Sequence, residues 1–195
     1  MSLLSLSTSD YTGLGEVVEG MKPYLRENRV SVSFPSMRLD TFTKEIASIA
    51  SEERKSGLTF APEAGTWRMR RVINKMISDE DLFSSVQIAL DGGWKTLKFY
   101  FMLGLPTETQ ADLQGIIDLI NDVRKMANPY GRIKINVTLS TFIPKPETPF
   151  QWEAQDSKEV IREKIDFLMD NLKHKNVRAS YRDPKYSEIE GVLSR

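Results

Sequence analysis

An α/β fold built on a parallel sheet is the class this sequence predicts, and three observations predict it. Apolar strand-like runs alternate with amphipathic helical stretches; no Asn-Gly hairpin signal joins two strands directly; polar, proline-containing loops follow each strand. Such alternation implies right-handed crossovers with the helices outside. Five strand-like runs do not close an eight-stranded barrel, so a partial, TIM-like (β/α) barrel of about five βα units is expected. One domain is expected over residues 1–176, with no internal repeat. Residues 177–195 read as a weakly patterned polar tail whose final Gly-Val-Leu-Ser-Arg looks cut off.

Leu3 to Ser7 alternates leucine with serine, as a short strand does, and a polar loop follows. Leu14, Val17, Val18, Met21 and Leu25 recur at helical spacing, although Pro23 is awkward in a helix interior. Val30 to Phe34 is the second strand. Asp40 or Thr41 then caps a helix carrying Phe42, Ile46, Ile49 and Ala50. Leu58 to Ala61 is the third strand, followed by a helical region from Gly65 to Lys75. Ser78 and Asp81 form a loose capping box for a helix to Leu90, which Asp91-Gly92-Gly93 ends. Lys95 to Leu103 is the most apolar strand, as a strand buried on both faces would be. Thr107 with Gln110 reads as a further capping box, opening a helix with Leu113, Ile116, Ile117, Ile120 and Val123 on one face. Ile133 to Phe142 is the fifth strand. Asp156 and Glu159 open the last long helix.

Composition narrows the chemistry. The chain has 195 residues, 40% hydrophobic and 28% charged, enough for one sizeable core. Lys+Arg 27 balance Asp+Glu 27, so nothing in the net charge favours nucleic acid or an acidic membrane. With Cys 0, this chain makes no disulfide, offers no thiol nucleophile and holds no cysteine-ligated metal, and no metal ligand set is predicted. The single histidine, His174, reads as a solvated residue near a helix end rather than a catalytic base. No apolar run approaches the roughly 18 residues needed to span a bilayer, and the amino terminus lacks the pattern of a signal peptide. A cytoplasmic protein is expected.

The stretch that carries most chemistry is Leu58 to Lys75. A strand breaks at Pro62-Glu63, turns at Gly65 and resumes as a helix with Arg68, Arg70, Arg71 and Lys75. A carboxylate at a strand's end beside a cationic helix suits a small charged ligand. An ordinary strand–helix connection, with Glu63 capping the helix and the arginines solvated or packed on Trp67, accounts for the same residues.

The run Leu58–Lys75 resembles the fourth-strand region of radical S-adenosylmethionine enzymes. Lys98 to Thr109, with its Gly104-Leu105-Pro106 turn, resembles the fifth strand of that family. Ser140 to Phe150, with its Ile-Pro-Lys-Pro-Glu-Thr-Pro-Phe exit, resembles the sixth. The branch that joins a B12-binding domain to the radical domain is the most similar. The resemblance spans most of the chain but lacks the family's Cys-x-x-x-Cys-x-x-Cys loop. It therefore implies a fragment of a six-stranded barrel whose [4Fe–4S] cluster belongs to the full-length protein only, with room for cobalamin elsewhere in that parent. It implies S-adenosylmethionine as the small-molecule cofactor. Ser5, Ser7 and Thr8 would stand near the methionine amino group, and Ser36 and Arg38 at the same pocket. Glu63 would accept from the ribose or the amino group, and Lys75 would meet the carboxylate. Tyr100, which stands near the place of an aspartate found in some relatives, and Phe142 would also belong to the cofactor-binding residues.

Three functions are thus expected in order. The first is the cofactor-binding part of a radical enzyme, inactive alone, with no catalytic residue of its own and a substrate the sequence does not name. The second is a non-catalytic α/β module for a nucleotide or phosphate. The third, an RNA-contacting domain, is disfavoured by the neutral charge and single basic run. The exposed sheet edge left by a missing first strand would favour self-association.

Overall fold

The computed structural model describes residues 11–28 and 57–194. The first two predicted strands, the helix from residue 40, and the candidate residues Ser5, Ser7, Thr8, Ser36 and Arg38 lie outside the described residues.

A helix, α1 (Leu14–Asn28), runs through Pro23 and sends Leu14 into the core. β1 (Leu58–Glu63) then leads through a short helix, α2 (Trp67–Val72), into α3 (Asp79–Asp91). β2 (Thr96–Leu103), α4 (Gln110–Ala127), a turn of 3₁₀ helix at Asn128–Tyr130 and β3 (Lys134–Thr141) follow. The chain continues through α5 (Lys158–Asn171) and β4 (Val177–Tyr181) to α6 (Pro184–Leu193). Among the described residues the expectation of an α/β chain without hairpins is met: their strands form one sheet in the order β1-β2-β3-β4, every pair parallel.

Residues 177–194 carry more regular structure than their weak pattern suggests. They supply β4, in register with β3 from Ile135↔Val177 to Leu139↔Tyr181, and then α6. Asp183 caps α6 by accepting from the Lys185 amide, with Pro184 at its first turn. The predicted Ser78–Asp81 capping box is present, but the box that opens α4 is Thr109 with Asp112, not Thr107 with Gln110. Thr109 is its N-cap, and the Thr109 amide and hydroxyl donate to Asp112 Oδ2 at 2.8 and 2.7 Å.

Strand alternation divides the sheet into two unlike faces. On one face lie Phe60, Leu97, Phe99, Phe101, Leu103, Ile135, Val137 and Leu139, all buried. They share a core with Leu82 and Val86 of α3, Ile116 and Ile120 of α4, and Ile165 and Leu168 of α5. Phe60 stacks on Phe99 with centroids 5.2 Å apart. Each fully buried side chain of this kind contributes about 1.5–3 kcal/mol. The other face is not a core. Thr59, Tyr100, Ser140, Arg178 and Ser180 are exposed there, and Lys98, Met102, Asn136 and Thr138 half-buried. The expectation that β2 is buried on both faces is therefore wrong: Phe99 and Phe101 are core, whereas Tyr100 faces the open side at 39% exposure.

Candidate functional site

The loops after the strands carry the unusual backbone. The non-glycine residues with positive φ among those described are Glu63 (67°), Asn74 (56°), Thr107 (67°) and Glu147 (60°). Glu63 ends β1, Asn74 lies just beyond α2, and Thr107 and Glu147 sit in the loops after β2 and β3. Left-handed backbone is uncommon outside glycine, and its concentration at one edge is the pattern of a ligand-binding rim.

Glu63 is reached through an irregularity: β1 keeps register with β2 to Phe60↔Phe99, then slips before Glu63↔Phe101. It does not cap the helix that follows. Thr66 does, its Oγ1 accepting from the Met69 amide at 3.2 Å. Glu63 is instead paired with Lys75, whose Nζ lies 3.0 Å from Oε1; the two side chains are 25% and 30% exposed. A carboxylate and an ammonium thus stand together, partly open to solvent, at the carboxyl edge of the sheet.

Two arginines fix that pair's surroundings. Arg70 is fully buried, against the expectation of a solvated helix charge. Its Nε donates to Ile77 O at 2.9 Å, a terminal nitrogen reaches Ala64 O and Gly65 O at 3.3 Å, and the other terminal nitrogen binds Asp79. The Lys75 amide donates to Arg70 O at 2.8 Å. Arg70 therefore ties the segment just after Glu63 to the segment just after Lys75. Arg68 makes a second tie, to Asp112 and, at 3.0 Å, to Thr107 O. Neither guanidinium is left to solvent as a free charge.

Asp112 is 3% exposed and also accepts from Thr66 and Thr109. Burial raises its pKa, but hydrogen bonds from Arg68, Thr66 and Thr109 outweigh burial and hold the carboxyl at about 2. A depressed folded-state pKa means stability present above the unfolded value of about 4 and lost as pH falls toward 2. Wild-type stability in urea should therefore decline across that window, and Asp112→Asn should be less stable at pH 6 with a flatter acid limb. Denaturation at pH 6, 4 and 2.5 measures both; parallel acid limbs would contradict the assignment.

The turn after β2 is held separately. Gly104, at φ 77°, donates its amide to Glu108 Oε2 at 2.9 Å, and Lys164 Nζ lies 2.7 Å from both Glu108 Oε2 and Asp156 Oδ2. Desolvation raises the pKa of Glu108, while Lys164 and the Gly104 amide oppose it.

An apolar cleft of about 490 Å³, within the size range of small-molecule sites, is lined by Asn74, the sequence neighbour of Lys75, but by neither member of the pair. Val72, Ile73, Met102, Leu105, Phe142 and Phe150 line it. Phe142 and Phe150 meet edge to face with centroids 6.0 Å apart. Sequence reasoning found Phe142 but missed α6 as a wall: Glu190 lines the cleft and accepts from Lys145 at 3.0 Å. Tyr100 does not line it; it stands on the open sheet face, two residues along β2 from Met102. Glu63, Lys75 and Phe142 thus share one edge, and Tyr100 lies deeper along the sheet.

Among the described residues, no group of three or more His, Asp or Glu side chains is placed to hold a metal ion. No described helix is long and apolar enough to cross a membrane. His174, predicted near a helix end, sits in the turn between α5 and β4, its Nδ1 accepting from the Asn176 amide at 3.2 Å.

No family model matches the chain. The chain is 30% identical, over all 195 of its residues, to an uncharacterized protein of Methanocaldococcus jannaschii. It spans 41% of that relative's length, so the two share one long region within a larger archaeal protein.

Proposed function

We propose that this chain is the S-adenosylmethionine-binding part of a radical enzyme. In this reading the parallel sheet is the later portion of a partial (β/α) barrel, with the open face its interior. The observation that carries the reading is the half-open Glu63–Lys75 pair at the carboxyl edge, with an apolar cleft that begins at Asn74, the sequence neighbour of Lys75. A zwitterionic ligand matches that pair group for group. Its ammonium, or a ribose hydroxyl, donates to Glu63, and its carboxylate accepts from Lys75. An adenine fits the apolar wall of Met102, Leu105 and Phe142 better than it fits water. S-adenosylmethionine bound here would, on one-electron reduction, supply a 5′-deoxyadenosyl radical that abstracts hydrogen from a substrate.

The iron–sulfur cluster that delivers such an electron does not fit this chain, which has no cysteine to ligate it. Its ligands, in this reading, belong to the full-length protein, and the chain's own work is to bind, orient and shield. The lack of cysteine favours a second reading, a non-catalytic α/β module that holds a nucleotide or phosphate at the same edge.

Calorimetric titration with S-adenosylmethionine tests the cofactor reading. Binding is expected, and Glu63→Gln and Lys75→Met should each weaken it about tenfold, the value of one charge-assisted hydrogen bond. Binding that ignores both substitutions, or no binding at all, would return the pair to an ordinary surface ion pair.

A further inference from the structure

A parallel sheet normally has both faces covered by apolar side chains. Here one face carries a polar row in register across neighbouring strands: Thr59, Lys98, Asn136 and Arg178. The next row toward the carboxyl edge is Tyr100, Thr138 and Ser180. Ser180 turns its hydroxyl back to Val137 O at 3.4 Å, whereas the side chains of Lys98, Asn136, Arg178, Tyr100 and Thr138 make no hydrogen bond or ion pair with another described side chain. In-register residues on parallel strands project to the same side, and strands are about 4.8 Å apart. Lys98 and Arg178 are therefore anchored about 10 Å apart with an amide between them, and both side chains are long enough to close on one group. Lys98 leans toward Gly57 at the start of β1, on the side away from Arg178, its Cε 2.7 Å from where a Cβ on Gly57 would stand, so closing on a shared anion requires a rotamer change at Lys98. Two cations and an amide on one sheet face, with no described carboxylate paired to them, give that face a positive potential that an anion would complement.

We infer that the open face of the sheet binds an anionic group, a phosphate or a carboxylate, of a small molecule, with Lys98 and Arg178 as its charge partners and Asn136 as a hydrogen-bond donor between them. Arg178 gives the planar, two-pronged contact and Lys98 a point charge. This site is distinct from the Glu63–Lys75 pair, which lies about 10 Å further along the strands. It stands without the cofactor reading. Only the corollary, that the radical's substrate carries this anionic group, rests on that reading.

Inorganic phosphate and malonate are the probes, titrated separately at constant ionic strength while Arg178 Nε and the amides of β2, β3 and β4 are followed by NMR. Saturable shifts centred on residues 98, 136 and 178 are expected with at least one probe, and the tighter probe identifies phosphate or carboxylate chemistry. Lys98→Met and Arg178→Leu should each weaken binding about tenfold. Lys125→Met and Lys173→Met, which remove equal charge from exposed positions outside the sheet, should leave it unchanged. Asn136→Asp puts a carboxylate between the two cations. It should abolish anion binding while raising the melting temperature, a result a misfolded variant cannot give. Absence of saturation with both probes, equal weakening by the two control variants, or retained binding in Asn136→Asp would each overturn the assignment. The probes contain no adenosine, so failure of S-adenosylmethionine to bind leaves this test untouched.

Discussion

Arg70→Met should lower the unfolding free energy by about 3–5 kcal/mol, seen as a lower urea midpoint at unchanged slope. The size follows from what the guanidinium satisfies. Ile77 O, Ala64 O and Gly65 O all accept from it in a place without solvent access, since Arg70 is fully buried. A methionine fills comparable volume but leaves those carbonyl groups without donors, each at about 1–3 kcal/mol. The other partner, Asp79, is half-exposed and can return to water, so no stranded carboxylate adds to the loss. Arg70→Lys should recover little, because one ammonium cannot reproduce a fork that spans both chain segments. The same substitution should loosen the Glu63–Lys75 pair, which Arg70 brackets on both sides. A loss below about 1 kcal/mol would show that the carbonyl groups find other donors.

Gly65→Ala should cost at least as much, for a steric reason. A Cβ on Gly65 would fall inside contact distance of the Ile116 amide and the Gly115 carbonyl carbon, with Asp112 O at 2.8 Å. All three obstacles are backbone of α4, which no rotamer change can move. The opposing position is Gly115, where a Cβ would meet Thr66 Cγ2 at 2.6 Å. The loop after β1 and the first turns of α4 therefore touch backbone to backbone through this glycine pair. Forcing a methyl between them displaces the helix or the loop, at about 3 kcal/mol or more. Thermal or urea unfolding measures the loss. A variant within about 0.5 kcal/mol of wild type would show the contact to be compliant.

These two residues also mark where sequence reading stopped. Strands β1, β2 and β3 were legible because each is an apolar run bounded by glycine or proline, and the Ser78–Asp81 box because both partners are local. Arg70 was not, because Trp-Arg-Met-Arg-Arg reads as a solvated helix face. Only the tertiary fold brings the carbonyl groups of residues 64, 65 and 77 to one point. β4 escaped notice because Val-Arg-Ala-Ser-Tyr turns only Val177 and Ala179 toward the core, too weak an alternation to register. The start of α6 was available in Asp183-Pro184, a cap followed by proline at the first helical turn. Tyr100 is a cofactor-binding candidate by resemblance, and the period of two that β2 keeps places it on the open face with Lys98. The Glu63–Lys75 pair was named from the sequence as one ligand pocket, and its partners do meet at 3.0 Å.

The measurement closest to the central claim is release of 5′-deoxyadenosine. It is made on a longer protein that joins this chain to the cysteine triplet the proposal requires, reconstituted anaerobically with iron and sulfide, reduced with dithionite and supplied with S-adenosylmethionine. The account predicts release that depends on the cysteines and falls about tenfold or more in Glu63→Gln and in Lys75→Met. A reconstituted cluster with no deoxyadenosine, or release indifferent to both substitutions, would contradict it.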